Sequence, residues 1–248
     1  MRTPICTTPA ARSGTLAEHL LIVPAAHTHL GHLSFQVEMY ELFHRTRGGR
    51  IGHGLGTPAI LFGVLMLLSR APGPAAPLLT AGLVLGIAAW GAAIDRLAGA
   101  VTVVLGAALS AGAAASARAL GEGDGVAVAL ALVLGGCAVQ TFSHVFEDVP
   151  PPLSGTKGFL PVLAWLARLD VATAIRAGAL TVGIFYWLEL WAALRILPLQ
   201  VHHLMMRAGL RPERRRALDA RIAQILAEPA ADWRQPARGG LQRNFSQP

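Results

Sequence analysis

The sequence predicts an all-α protein of the membrane: a polytopic helical bundle of about four to five spans followed by an amphipathic C-terminal helix. Three observations predict it. Only 14% of the 248 residues are charged while 53% are hydrophobic, whereas an ordinary soluble domain carries about 25% charged residues. The deficit is concentrated between residues 57 and 197. The apolar runs there approach the ~20 residues that a helix needs to cross a bilayer, and short turns rich in proline, glycine or charge separate them.

Taken in order, residues 1–33 form a mixed N-terminal segment expected to be loosely structured. Glu18 and His19 interrupt the approach to its one apolar run, LLIVPAA at 20–26, so a cleaved signal peptide is not expected. His27, His29 and His32 lie two and three apart, which suits a shared helical face poorly. The membrane domain is placed at 34–200. Ser34 fits an N-cap, and Val37, Tyr40 and His44 then share a face of the helix it starts. Gly48–Gly49 is read as the end of that helix, with a second helix beginning near His53 and Pro58 in its first turn.

Spans follow at about 58–68 (or from 51), 78–94, 97–117 and 126–142. In the third, Gly106, Ser110 and Ala114 repeat every fourth position, a spacing for close helix packing in lipid. Prolines 150–152 stop the fourth. The run 171–197 contains Glu189 and Arg195, so it is either a fifth crossing or a tilted, in-plane element. In the basic tail, 201–248, a helix over 212–227 gathers Leu218, Ile222, Ile225 and Leu226 on one face. Two readings stay open: a helix on an anionic membrane surface, or one packed on the protein itself. His202–His203 is read as interfacial.

The net charge is +7, nearly all of it from arginines in the flanks and tail. In so apolar a chain that points to lipid headgroups and not to nucleic acid. Cys6 and Cys137 fall in unlike surroundings, so neither a disulfide framework nor a thiolate metal site is expected.

The chemistry gathers at two places. His44 and His53 flank a basic turn holding Arg45, Arg47, Gly48, Gly49 and Arg50. Four crossings later, an even number, His144 returns to the same side, with Gln140 four before it and Glu147 three after it. Arg2, Arg12, Arg45, Arg47, Arg50, Arg96, Lys157, Arg168 and Arg176 belong to that side, and Arg70 and Arg118 to the other, which makes the histidine side cytoplasmic. Histidines with a carboxylate are the ligand set of non-haem Fe(II) oxygenases, zinc also accepts three imidazoles, and a polar network tying helix ends together needs no metal. Gln140 and Tyr40 fit roles in orienting ligands.

YELFHRTRGGRIGHGLGTP, with Tyr40, His44, His53 and Pro58, resembles the first signature of the iron-dependent 2-hydroxy fatty acid dioxygenases, membrane proteins of phytosphingosine degradation. Gln140, Ser143-His144, Phe146-Glu147 and Pro151-Pro-Leu153 resemble the second. The resemblance covers about residues 37–197. Gly49 stands where the family has asparagine, Ser143 where it has glycine, and the step from histidine to Phe-Glu is one residue shorter. The resemblance implies Fe(II) on His44, His53 and His144, with a 2-hydroxy fatty acid and O2 as substrates. Arg45, Arg47 or Arg50 would receive the carboxylate. No nicotinamide or flavin motif is required or present. The competing expectation is a non-catalytic membrane scaffold or lipid-binding protein. A di-iron hydroxylase would want several HxxxH or HxxHH boxes, which the chain lacks.

Overall fold

A computed structural model describes residues 33–147 and 167–227. Expectations placed on the N-terminal histidines, Cys6, Pro150–Pro152, Lys157 and the side chain of Glu189 lie outside what it describes. Every described element is helical: α1 Leu33–Phe43, α2 Arg47–Leu68, α3 Ala75–Ile94, α4 Arg96–Ala119, α5 Glu122–Ser143, a 3-10 turn His144–Phe146, α6 Val171–Arg207 and α7 Pro212–Ala227. They fall into two compact units, one from residues 43–201 and one from 33–42 with 202–227.

In the first unit, α2 to α5 are each long and apolar enough to cross a membrane. These four match the four expected crossings between His53 and His144. Their ends are set by local chemistry. Asp95 N-caps α4, accepting from Leu97 N at 2.9 Å. Gly73 and Gly121 take φ of +56° and +71° in the turns before α3 and α5, where a side chain would be strained. Arg70 ties these turns together, its guanidinium donating to the carbonyls of Ala117 and Gly121.

Helix α2 begins earlier than expected, at Arg47, so Gly48–Gly49 open a helix instead of closing one, and Pro58 lies inside α2. The cause is Thr46, an N-cap whose hydroxyl accepts from Gly49 N at 3.1 Å. The tightest packing is between α2 and α5. A Cβ added at Gly52 would stand 2.1 Å from Ser143 Cβ, at Gly56 2.7 Å from the Gly136 carbonyl, and at Gly63 2.5 Å from the Ala129 carbonyl. Gly49, Gly56 and Gly63 recur at seven-residue intervals, so one face of α2 carries no side chains and the two backbones touch. Gly106, from the expected small-residue face, does meet Val84 of α3, but Ser110 and Ala114 are only half-buried. Leu61, Leu65, Met66 and Ile87 fill the core beside the seam, while Leu85, Val104 and Leu134 point outward, as lipid-facing positions do.

In the second unit Leu218, Ile222 and Ile225 of α7 are buried, so the face that a surface-bound helix would offer to lipid is covered. Glu38 and Glu41 of α1 are buried too. Glu38 meets Arg221 at 3.5 Å, and Glu41 bridges His203 and Arg215. His202 and His203, expected at an interface, are both buried, and the Tyr40 ring stands edge-on to His203.

Two outcomes are expected. Gly63→Ala should destabilise the bundle by about 1–3 kcal/mol, because backbone cannot yield. Gly86→Ala, with open space around it, should be neutral or stabilising by up to ~1 kcal/mol. Thermal unfolding in detergent separates the two, and equal effects would deny the seam its role. Burial raises the Glu38 carboxyl above its ordinary 4.5, against the opposing pull of Arg221. An acid raised on folding contributes stability that is present below its unfolded value and lost as pH rises through the folded one. Hydrogen-exchange protection over 212–227 should therefore weaken as pH climbs above about 4.5, and Glu38→Gln should flatten that slope. An unchanged slope in the variant would assign it to another group.

Candidate metal centre

The three histidines reach one point by different routes. His44 lies just past the end of α1, His53 sits two turns into α2, and His144 follows the last residue of α5. All are buried. Their rings stand 4.1 Å (His44–His53), 4.7 Å (His53–His144) and 5.1 Å (His44–His144) apart between centroids. One nitrogen from each lies within 4.8 Å of the others, and among the described residues this is the group of ligating type that converges.

The arrangement fits a cation. His53 Nε2 and His144 Nε2 are 2.9 Å apart. Two nitrogens bound ~2.1 Å from one ion at about 90° would be separated by about 3.0 Å. His53 is 1% exposed, and its Nδ1 has no hydrogen-bond partner among the described residues. With the proton of the neutral ring on Nδ1, its lone pair lies on Nε2, the atom that faces His144 and where an ion would be held. Burial pushes His144 down to about 4, opposed in smaller part by a hydrogen bond with the Phe43 backbone. The ring is therefore neutral near pH 7, the form that ligates metal. The triad can hold a metal ion.

Glu147 goes elsewhere. Sequence spacing put it on the face of Gln140 and His144 if the helix persisted, but α5 ends at Ser143 and Glu147 is extended, with φ −89° and ψ 135°. Its Oε2 accepts from Arg45 N at 2.9 Å and Thr46 N at 3.1 Å, and its Oε1 accepts from the Thr46 hydroxyl at 2.9 Å. A carboxylate there is favoured by the positive end of α2. The contact ties the link between His44 and His53 to the link after His144. Gly49 permits it: a Cβ at that position would stand 1.7 Å from Glu147 Oε1. A glycine at position 49 is thus required by the carboxylate's approach.

Gln140 is fully buried one turn below His144, where its Nε2 donates to Thr57 Oγ1. Gln200 Nε2 reaches the same hydroxyl at 3.4 Å. Of the three arginines, Arg45 and Arg47 are exposed and Arg50 is half-buried. Tyr40 belongs to the unit of residues 33–42 and 202–227, with His203 against its ring. Sequence reading passed over Thr46, Thr57 and Gln200. The glycine heptad was a legible signal for the seam, but nothing in the sequence marks a threonine 83 residues from one partner and 143 from the other as a meeting point. Compared with family models, with characterised proteins and with solved structures, the chain matches none.

Alanine at His44, His53 or His144 should each abolish tight binding of a divalent metal. Glu147→Ala should weaken it ~10–100-fold without abolishing it. Gly49→Ala should do the same by displacing the carboxylate, and the double variant should be no worse than either single one. Chelator competition on purified protein reads all six, and additive losses would mean that Gly49 and Glu147 act apart.

Proposed function

We propose that this protein is an Fe(II)-dependent dioxygenase that shortens 2-hydroxy fatty acids by one carbon at the membrane. The observation that carries the reading is the convergence of three buried imidazoles, from two signatures ninety-one residues apart at their closest, at the end of an apolar bundle. The resemblance of those signatures to the 2-hydroxy fatty acid dioxygenases supplies the metal and the substrate class. The reaction balances without an added reductant: R–CH(OH)–COOH and O2 give R–COOH, CO2 and H2O.

His44, His53 and His144 would hold the iron. When bound it activates O2 and templates the hydroxy acid. The chain's own groups do the rest. Glu147 holds the two histidine-bearing links in register through Arg45 and Thr46. Arg50, half-buried in the turn of α2 before His53, offers its charge to the substrate carboxylate, with Arg45 and Arg47 adding to the local positive field from the surface. The apolar exterior of α3 to α5 lies in lipid, from which an acyl chain would be drawn. The excess of arginine on the histidine side favours a cytoplasmic site.

The test is oxygen uptake by the purified full chain loaded anaerobically with Fe(II). A 2-hydroxy fatty acid should consume one O2 per molecule and yield the acid one carbon shorter with CO2. The His53→Ala protein should consume none. An iron-replete protein that leaves 2-hydroxy acids of every chain length intact would overturn the reading.

A further inference from the structure

One turn beneath the imidazoles, three polar side chains from three helices meet inside the apolar bundle. Thr57 follows His53 by four residues in α2, and Gln140 in α5 precedes His144 by four, so both lie ~6 Å deeper along the seam, in the same direction. Gln200 comes from α6. Each is at least nine-tenths buried. The amides of Gln140 and Gln200 both donate to Thr57 Oγ1, which uses both acceptor sites of that hydroxyl. The Gln140 amide lies with its nitrogen toward Thr57, and its carbonyl oxygen is buried with no hydrogen-bond partner among the described residues. A bare buried acceptor is costly, and in a bundle surrounded by lipid no bulk water reaches it.

We propose that Thr57, Gln140 and Gln200 form a hydroxyl-recognition layer, in which Gln140 Oε1 accepts a hydrogen bond from the 2-hydroxyl of the substrate. The inference rests on the proposed reaction and extends it, by assigning the choice of a 2-hydroxy acid over an unsubstituted one to this layer. The ligand class is an amphipathic acid with one alcohol beside its carboxyl group. The donor that Oε1 lacks is what that alcohol supplies, and an unsubstituted acid would leave the acceptor bare. A site built around a hydroxyl rejects the analogue lacking it, because its own polar group stays unpaired. Gln140 acts here on specificity and Thr57 as a positioning residue that holds the amide. Gln200 completes the acceptor saturation of Thr57.

The experiment measures binding of 2-hydroxy and unsubstituted fatty acids of equal chain length to the metal-loaded full chain in detergent, by calorimetry under anaerobic conditions, beside its metal content. Wild type should prefer the 2-hydroxy acid by roughly tenfold or more. Gln140→Met, close in volume and without an acceptor, should bring the ratio near one by weakening the 2-hydroxy acid alone, with metal content unchanged. Thr57→Val, which keeps the shape and removes the anchor, should lower the ratio part of the way, and it decides the matter if the methionine variant does not fold. A preference retained in both variants while wild type still shortens 2-hydroxy acids would overturn the layer and leave the reaction standing. Equal affinity of wild type for the two acids would overturn it too, because Oε1 would then be satisfied by something other than substrate. Absence of oxygen uptake with every 2-hydroxy acid would remove the reaction, and the inference with it.

Discussion

The structure depends on the backbone contact between α2 and α5. Between helices in lipid there is no hydrophobic drive to associate, since acyl chains are as apolar as leucine. What holds them is the dispersion gained when surfaces meet without gaps and the polar bonds that only close approach allows. Gly52, Gly56 and Gly63 remove the side chains that would hold α5 away, and Gly49 the one that would displace Glu147. The Gln140–Thr57 bond, the His53–His144 nitrogen pair and the Glu147 cap all lie along the resulting line. Each is short because the seam is tight. Widening the seam by one methyl group would lengthen all three.

Polar groups are distributed in two ways. In the unit of residues 43–201 they lie on that seam and serve it. In the unit of residues 33–42 and 202–227 they form a carboxylate cluster, where Glu38 and Glu41 are buried against Arg221, Arg215 and His203. Removing one member of a buried charged pair leaves the other uncompensated, which costs more than the pair itself contributes. The tail arginines that gave the sequence its basic character are in part committed to these acids, so net charge overstated what is left for lipid.

Much of the architecture was legible because bilayer thickness imposes a length on each span, and four runs met or approached it. The parity argument, four crossings from His53 to His144, needed nothing finer than that, and it brought the triad together. Helix boundaries were less legible. Gly48–Gly49 reads as a stop signal because glycine commonly ends helices, yet here a threonine cap and a carboxylate from far along the chain start a helix at the same place. Glu147 was found by its type and misplaced by its spacing, since an i,i+3 relation holds only while a helix continues. Thr57 and Gln200 carried no signal: a threonine and a glutamine in apolar surroundings gain meaning only from the partner that tertiary structure supplies. Tyr40 was grouped with His44 by periodicity, whereas its ring has His203 beside it.

The separation of the two signatures has a consequence for biosynthesis. His53 is inserted at the start of the first candidate span and His144 emerges only after the fourth. Throughout that interval the nascent chain presents two imidazoles and an unfilled glycine face, with Glu147 not yet made to close the end of α2. A metal ion meeting the chain then would find an incomplete set of ligands. Acquisition of a metal by this triad would therefore be a late event, set by the order of translation, and a filled centre would report that the fourth helix has returned and docked.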